Sequence, residues 1–251
     1  MNLTSLDDIM NQIRNEQNLT GLDKRDKMAK KIAVSEARVL EASWELLAQD
    51  GLEKFSMRKL ADLIGIQAPS IYWYFKSKQL LFQAMANQVA REIMLNIHPQ
   101  GDWKKQLHHY AVTMREQLRI YPCSAQLLMR TLPLESDYLQ LLDQFLQPIE
   151  PLPLTDKEKL NYIVCVINYV LCHELDEYER QQVAIGIGVK DEKLLEGWAL
   201  KSFDQIPQEK VSIIHRMYTN GLFGEVGTDE MFESGLDILL RGIEQKVIAS
   251  S

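Results

Sequence analysis

The chain has 251 residues, 46% hydrophobic and 25% charged, with a formal net charge of −7, which is ordinary for a soluble globular protein that can bury a core. No apolar run is long enough to span a bilayer, and the acidic first ten residues are unlike a signal peptide, so we expect a cytoplasmic protein without a membrane partner. Three scattered cysteines, Cys123, Cys165 and Cys172, form no C-x-x-C pair, which favours reduced thiols and no metal site.

The first 31 residues are predicted to be an N-terminal extension or arm. Apolar residues between positions 6 and 13 recur at helical spacing, which fits a short amphipathic helix, although a frayed terminus is the simpler interpretation. The basic run at 24–31 is either a solvated face or a phosphate-binding arm, and the sequence does not separate these two. An amphipathic helix follows from Ser35 to Asp50 and ends at Gly51.

The next stretch predicts two short helices joined by a tight turn. Ser56 is a good N-cap for the first helix, and Gly65 can take the positive φ that ends it. Pro69 stands near the start of the second helix, where its missing N–H costs little. Residues 32–78 are therefore predicted to be a helix-turn-helix DNA-binding domain.

Three consecutive aromatic residues, Tyr72, Trp73 and Tyr74, cannot all face inward, because neighbouring residues on a helix are about 100° apart. Burial is the more common fate of aromatic residues, but at least one of these must face outward, and two lysines follow at once. The candidate DNA-binding residues are Arg58, Gln67, Ala68, Pro69, Ser70, Tyr72, Trp73, Tyr74, Lys76 and Lys78. Of these, we expect Arg58 and Lys78 to hold phosphates, the two tyrosines to contact backbone or sugar, and Ser70 and Trp73 to approach base edges.

The charge distribution fits a DNA-binding head. Residues 24–78 hold 11 lysines and arginines against 7 acidic residues, a local charge of +4 that leaves −11 for the rest of the chain. A basic head on an acidic body keeps attraction to phosphate local.

The rest of the chain is predicted to be helical, so the fold class is all-α. Residues 79–98 are predicted to be a connecting helix capped by Ser77, and residues 99–251 a larger helical domain. A turn-rich stretch at 98–102 marks the boundary between them. We expect body helices at about 102–120, 123–132, 135–147, 155–183, 190–204, 208–221 and 228–249. Those at 155–183 and 228–249 are apolar around more than one face, which indicates either burial within one subunit or association.

The stretch FSMRKLADLIGIQAPSIYWYFKSK at 55–78 resembles the DNA-binding domain of the TetR family of bacterial repressors, and its Tyr-Trp pair is most similar to the tetracycline-repressor branch. The sequences starting at Asn168 and Phe223 resemble the C-terminal domain of the same branch. The resemblance implies a homodimer formed through the helices at 155–183 and 228–249. Where the branch has Gln-Pro-Thr, this chain has Ala68-Pro69-Ser70, so we expect a different operator.

A pocket between body helices is the expected place for a small-molecule inducer. By position, its candidate lining is Met114, Leu118, Gln126, Met129, Thr131, Tyr169, Cys172 and His173, although methionines are more often core residues. In tetracycline repressors a His, a Thr and a Glu help to hold a magnesium–drug chelate; the resemblance places Leu128 at the His, Thr131 at the Thr, and a residue between 175 and 177 at the Glu. A leucine cannot ligate metal, so tetracycline itself is not expected.

No catalytic motif or metal-ligand spacing is present, so we expect neither an enzyme nor a cofactor other than a small-molecule effector. The sequence therefore predicts a ligand-responsive transcriptional regulator, a repressor that binds a palindromic double-stranded operator as a homodimer. The alternative is an all-α small-molecule-binding or protein-interaction protein that does not act on DNA.

Overall fold

The computed structural model describes residues 35–186, 188 and 206–250 of the chain. Within these residues the protein forms ten α-helices and no strand, which confirms the predicted all-α class. The helices are α1 (Glu36–Lys54), α2 (Met57–Ile64), α3 (Ala68–Ile71), α4 (Lys78–Asn96), α5 (Trp103–Ile120), α6 (Ser124–Met129), α7 (Ser136–Leu146), α8 (Asp156–Gly186), α9 (Ser212–Thr219) and α10 (Asp229–Ser250), with 3-10 turns at Gln147–Ile149, Gln208–Lys210 and Leu222–Glu225. The predicted arm at 1–31 and the predicted helix at 190–204 lie outside the described residues.

The helix starts follow from local capping. Ser35, Ser56 and Ser77 precede α1, α2 and α4, and each hydroxyl accepts a hydrogen bond from the backbone N–H three residues later. The Asp102 carboxylate does the same for α5. Because these bonds satisfy N–H groups that have no partner inside the helix, the starts could be predicted within a residue or two. At Gly51 the backbone takes φ 70 and ψ 175, so regular α1 geometry is interrupted at the predicted stop.

The N-terminal helices pack around one apolar cluster. Leu47 of α1, Leu60 of α2, Ile71 of α3 and Leu81 of α4 are all buried there. Not every apolar residue of these helices is buried, since Ala37 and Leu80 are exposed. The pattern alone could not tell how wide each buried face is.

Helix α4 is shared between the N-terminal unit and the body. It packs on α1 as well as on α5, α6 and α7, with Met85, Val89 and Ile93 fully buried. In the body, the Tyr110 ring of α5 meets the Phe145 ring of α7 edge-on at 5.5 Å between centroids. Helix α5 also contacts α8 and α10, so the body is a layered helical bundle on the far end of α4.

Candidate nucleic-acid interface and ligand pocket

Helices α2 and α3 form the predicted helix-turn-helix. Gly65 ends α2 at φ 78, and its N–H donates to the Ala61 carbonyl oxygen at 2.9 Å. Only a residue tolerant of the left-handed region suits this position without strain, so the sharp turn depends on glycine. Helix α3 is only four residues long and has Pro69 in its first turn, and the chain then continues as a turn into α4.

The aromatic residues after α3 divide between the interior and the surface. Ile71 and Phe75 are buried against α2 and α4, as their spacing of four predicts. The residues between them are exposed: Tyr72 by 43%, Trp73 by 80% and Tyr74 by 38%. A large exposed aromatic cluster on a monomer indicates a binding surface. We call Tyr72, Trp73 and Tyr74 the aromatic patch.

Basic and polar side chains surround the aromatic patch. The Lys76 ammonium lies 5.5 Å from the Trp73 ring centroid, in a cation–π contact that leaves the lysine exposed. Arg58 on α2 is exposed and makes no ion pair within the described residues. The remaining predicted contacts are on the same short segment, where Gln67 and Pro69 are exposed and Ala68 and Ser70 are half-buried. The geometry thus brings the candidate DNA-binding residues together, while their individual roles remain predictions.

Lys78 is placed differently from the other candidates. Its ammonium donates to the Phe55 carbonyl oxygen at 2.8 Å and lies 5.5 and 5.0 Å from the ring centroids of Phe55 and Phe82. Burial lowers the pKa of this lysine. The side chain therefore fastens the start of α2 to α4, and this bond competes with the phosphate contact that the sequence predicts. The backbone N–H groups at the start of α4 are a second possible phosphate-binding element.

The described body contains a cavity of about 460 Å³ between α5, α6 and α8. Its lining residues are Leu118, Arg119, Tyr121, Pro122, Cys123, Ser124, Ala125, Gln126, Glu174, Leu175, Glu177, Tyr178 and Gln181. Only Leu118 and Gln126 of the eight predicted ligand-binding residues are among them. The ligand-binding role of all eight residues stays a prediction.

The other six candidates do not line this cavity. Met114 is a buried core residue, whereas Met129 and Cys172 are exposed. The Thr131 hydroxyl donates to the Leu127 carbonyl oxygen of its own turn at 3.0 Å, so it is occupied locally.

Tyr169 and His173 belong to a separate aromatic cluster with Phe232 of α10. The Tyr169 hydroxyl donates to the Phe232 carbonyl oxygen at 3.0 Å. The His173 side chain is buried, and its ring centroid is 5.1 Å from that of Phe232. Its Nδ1 lies 3.5 Å from Glu174 Oε1 without hydrogen-bond geometry, so neither ring nitrogen has a hydrogen-bond partner in the described part of the chain. Burial, followed by the charge of Arg115, lowers the pKa of this histidine.

A buried charge network that the sequence reasoning missed joins α5, α8 and α10. Glu174 accepts from Arg115 Nε at its Oε1 and from Arg119 Nε at its Oε2, both at 2.9 Å. Arg115 Nη2 also donates to Asp229 Oδ1 at 2.6 Å, and its guanidinium lies 4.2 Å from the Phe232 ring centroid. Glu174 and Arg115 are each more than nine-tenths buried at the side chain. The signal that could have found them is the pair of arginines four residues apart on α5 together with a carboxylate at the end of the largely apolar run 163–172 of α8.

Two structural links connect the cavity to the N-terminal helices. Tyr121 on the cavity wall packs on the Trp44 ring of α1, with 4.9 Å between centroids. Just beyond α6, Arg130 Nη2 forms an ion pair with Glu53 Oε1 at 2.5 Å. A change at the cavity wall therefore acts directly on residues that contact α1.

Two body helices carry exposed apolar residues on their outer faces. On α8 these include Leu160 and Val164, and on α10 they include Met231, Ile238 and Ile248. Leu160 and Val164 are four residues apart, and Met231 and Ile238 are seven apart, so each of these pairs forms one stripe along its helix. We call the two stripes together the apolar face.

The described ranges contain neither a membrane-spanning helix nor a cluster of metal-binding side chains. No helix there is both long and apolar enough to cross a bilayer. No group of three or more His, Cys, Asp or Glu side chains in that part of the chain is arranged to hold a metal ion.

A helix-turn-helix with an exposed aromatic and basic surface, joined by a shared helix to an all-α body with a cavity, defines the class of one-chain transcriptional regulators. The family of bacterial regulatory proteins called tetR matches residues 39–85, and the tetracyclin repressor-like C-terminal domain matches residues 97–247. The chain belongs to the TetR family. This confirms the predicted family and the predicted function, a ligand-responsive transcriptional regulator.

Individual relatives agree with this assignment. The chain is 26% identical over 213 residues to the class D tetracycline repressor of Escherichia coli, and the aligned region covers 84% of this chain and 89% of that repressor. A possible TetR family regulator from Streptomyces coelicolor A3(2) has a similar fold, with a TM-score of 0.69 and 23% identity over 84% of this chain and 99% of that one. The S. coelicolor TetR family protein ActR in complex with actinorhodin also shares the fold, with a TM-score of 0.68 and 18% identity over 85% and 98% of the two chains.

Proposed function

We propose that the protein is a cytoplasmic repressor that binds a pseudo-palindromic operator as a homodimer and leaves it when a small molecule enters the cavity between α5, α6 and α8. The single observation that carries the DNA-binding part is the aromatic patch. Three consecutive aromatic residues are exposed beside Lys76 on a helix-turn-helix, although burial would otherwise stabilise them.

We assign one role to each part of the chain. Residues 32–78 bind DNA, residues 79–98 connect the DNA-binding domain to the body, and residues 99–251 bind the effector and the second subunit. Trp73 and Ser70 would approach base edges, while the tyrosines of the aromatic patch and Arg58 would contact the backbone. Ala68 stands where the tetracycline-repressor branch has a glutamine, whose side-chain amide can make a bidentate contact with adenine. Alanine cannot make this contact, so we expect an operator sequence unlike that of the tetracycline repressors.

The apolar face supports the homodimer. Leu160 and Val164 on α8, and Ile238 on α10, are exposed by 40% or more. These helices contact one another within the subunit, so their stripes together can form one self-complementary surface. A dimer also suits the reading segment, because one short helix spans only a few base pairs and two half-sites a helical turn or more apart give specificity.

Induction requires a ligand that binds better to a conformer with the wrong spacing between reading segments. The cavity is well placed for this, since Tyr121 on its wall packs on Trp44 of α1 and Arg130 after α6 pairs with Glu53. A ligand that displaces the wall would shift α1 and, through α4, the two reading segments. ActR was solved with actinorhodin, which supports small-molecule occupancy of this kind of body.

Tetracycline is not our proposed effector. Leu128, which the resemblance places at a drug-binding histidine, is buried and does not line the cavity. Thr131 also lies off the cavity wall, with its hydroxyl bonded to its own helical turn. The effector therefore differs in chemistry from a magnesium–tetracycline chelate.

The test is a gel-shift titration of selected and random duplexes at several salt concentrations. Trp73→Ala should weaken binding to selected duplexes by about tenfold or more, in line with about 1–3 kcal/mol for one base contact. Because the proposed dimer carries two copies of Lys76, Lys76→Ala should reduce the slope of log K against log salt by about 1.8 if each ammonium neutralises one phosphate. Lys105→Ala, an exposed lysine on α5 distant from the aromatic patch, is the control and should change neither value. Equal affinity of the wild-type protein for selected and random duplexes would contradict the proposal.

A further inference from the structure

Tyr178 of α8 lies on the cavity wall and also against α1. It is one of the residues that line the cavity, and the Cys123 thiol, on the same wall, donates to its hydroxyl at 3.5 Å. A Cβ placed on Gly51 of α1 would lie 3.4 Å from the Tyr178 hydroxyl oxygen, which is van der Waals contact. One side chain therefore joins the wall of the cavity to a defined point on α1.

That point is the place where α1 is interrupted. Gly51 has φ 70 and ψ 175, a conformation that is essentially restricted to glycine. Ser56, the N-cap of α2, follows five residues later, and Leu52 and Phe55 between them are buried. The Phe55 ring also meets the Phe82 ring of α4 at 5.1 Å between centroids. A displacement at Gly51 is therefore passed to the start of α2 and to α4.

The other contacts between the body and α1 are less suited to this role. Tyr121 packs on Trp44, which lies on the regular part of α1, seven residues before the interruption, so it bears on the helix as a whole. The ion pair of Arg130 with Glu53 is solvent-exposed, with 52% and 79% of the two side chains accessible. Exposed pairs of this kind contribute about 0–1 kcal/mol.

We propose that Tyr178 is the positioning residue that links occupancy of the cavity to the helix-turn-helix, with Gly51 as the hinge. This inference rests on the proposed function, since it takes the cavity as the effector site. A molecule that fills the cavity presses on Tyr178, moves its hydroxyl against Gly51 and tilts α2 and α3 relative to α1. Because coupling between two sites is reciprocal, DNA binding must also act on the cavity wall.

Reciprocity allows a test with duplex DNA alone. Hydrogen–deuterium exchange of the full-length protein is followed by mass spectrometry, with and without a saturating duplex selected from a random pool. Segment 68–74 reports DNA contact and segment 121–126 reports the cavity wall. In wild type the duplex should slow exchange in both, at the wall by about fivefold or more, the lower end of typical coupling. Tyr178→Phe removes only the hydroxyl and should reduce the slowing at the wall to less than about twofold, while the slowing at 68–74 remains.

Three further variants separate this route from a general loss of structure. Tyr162→Phe, the same change on α8 away from the wall, is the matched control and should behave like wild type. Arg130→Ala removes the exposed ion pair with Glu53 and should also behave like wild type. Cys123→Ala leaves Tyr178 intact but frees its hydroxyl from the wall, so it should at least halve the slowing at 121–126 and serves if Tyr178→Phe fails to fold.

Three results would overturn the proposal. In the first, the duplex slows exchange at 68–74 of the wild-type protein but not at 121–126. In the second, Tyr178→Phe and Cys123→Ala keep the full slowing at the wall. In the third, Arg130→Ala abolishes it. If no duplex slows exchange at 68–74, DNA binding itself fails and the inference falls with the proposed function, so the two failures are distinguishable.

Discussion

Removing one partner from the buried charge network should strongly destabilise the body. Arg115→Met deletes two hydrogen bonds, to Glu174 at 2.9 Å and to Asp229 at 2.6 Å, and a cation–π contact of 4.2 Å to Phe232. The Glu174 carboxylate stays more than nine-tenths buried with only Arg119 to compensate its charge. Breaking a buried pair in this way costs about 3–5 kcal/mol, and because Arg119 remains we expect about 3 kcal/mol.

The measurement is thermal and urea unfolding of the full-length protein. For a chain of this size, about 3 kcal/mol corresponds to a fall in Tm of roughly 6–12 °C. The double variant Arg115→Met, Glu174→Leu replaces the pair by apolar groups of similar volume and should recover at least half of the loss. Lys105→Met, which removes an exposed charge from the same helix, should change stability by less than about 0.5 kcal/mol.

The reasoning would be refuted by a loss below about 1 kcal/mol for Arg115→Met. It would also be refuted if the double variant were as unstable as the sum of the two single variants. Either result would mean that the Glu174 carboxylate is hydrated or otherwise compensated, and that this junction of α5, α8 and α10 does not depend on the arginine.

Three further predictions address other parts of the molecule. Ile71→Ala, which empties a fully buried site, should cost about 3 kcal/mol in unfolding experiments, whereas Trp73→Ala should leave stability within about 0.5 kcal/mol. Burial holds the pKa of His173 below its unfolded value of 6.5. As the pH falls below 6.5, His173 is therefore protonated in the unfolded state before it is protonated in the folded state, and the folded protein loses stability. His173→Leu should therefore show a smaller loss of stability between pH 7 and pH 5 than wild type, and an equal loss would contradict this. Val164→Glu should convert the proposed dimer to a monomer in sedimentation, whereas Leu95→Glu, also at an exposed apolar position, should not.

The helices and the aromatic patch could be predicted because their signals are local. Ser56 and Ser77 bond to N–H groups three residues away, and Gly65 is required by a backbone angle, so no distant contact is needed to place these ends. The exposure of Trp73 follows from the angle between consecutive residues on a helix together with the burial of Ile71 and Phe75.

The lining of the cavity could not be predicted in the same way, because it depends on which faces of α5, α6 and α8 meet. Cys172 lies less than one turn from the wall residues Glu174 and Leu175, yet it does not line the cavity. A shift of one residue on a helix rotates a side chain by about 100°, so an approximate alignment cannot resolve the lining.

The contacts of Lys78, in the DNA-binding domain, also could not be predicted from the sequence. Its place at the start of α4, four residues after the exposed Tyr74, indicates phosphate binding. Its bond to the Phe55 carbonyl oxygen, 23 residues away along the chain, depends on how α2 packs on α4.

The measurement that tests the account most directly is selection of bound duplexes from a random pool by the full-length protein. The account predicts enrichment of a pseudo-palindromic sequence whose half-sites lie one helical turn or more apart, and loss of that enrichment in Trp73→Ala. Enrichment of no sequence, or of one without two-fold symmetry that Trp73→Ala still selects, would contradict it.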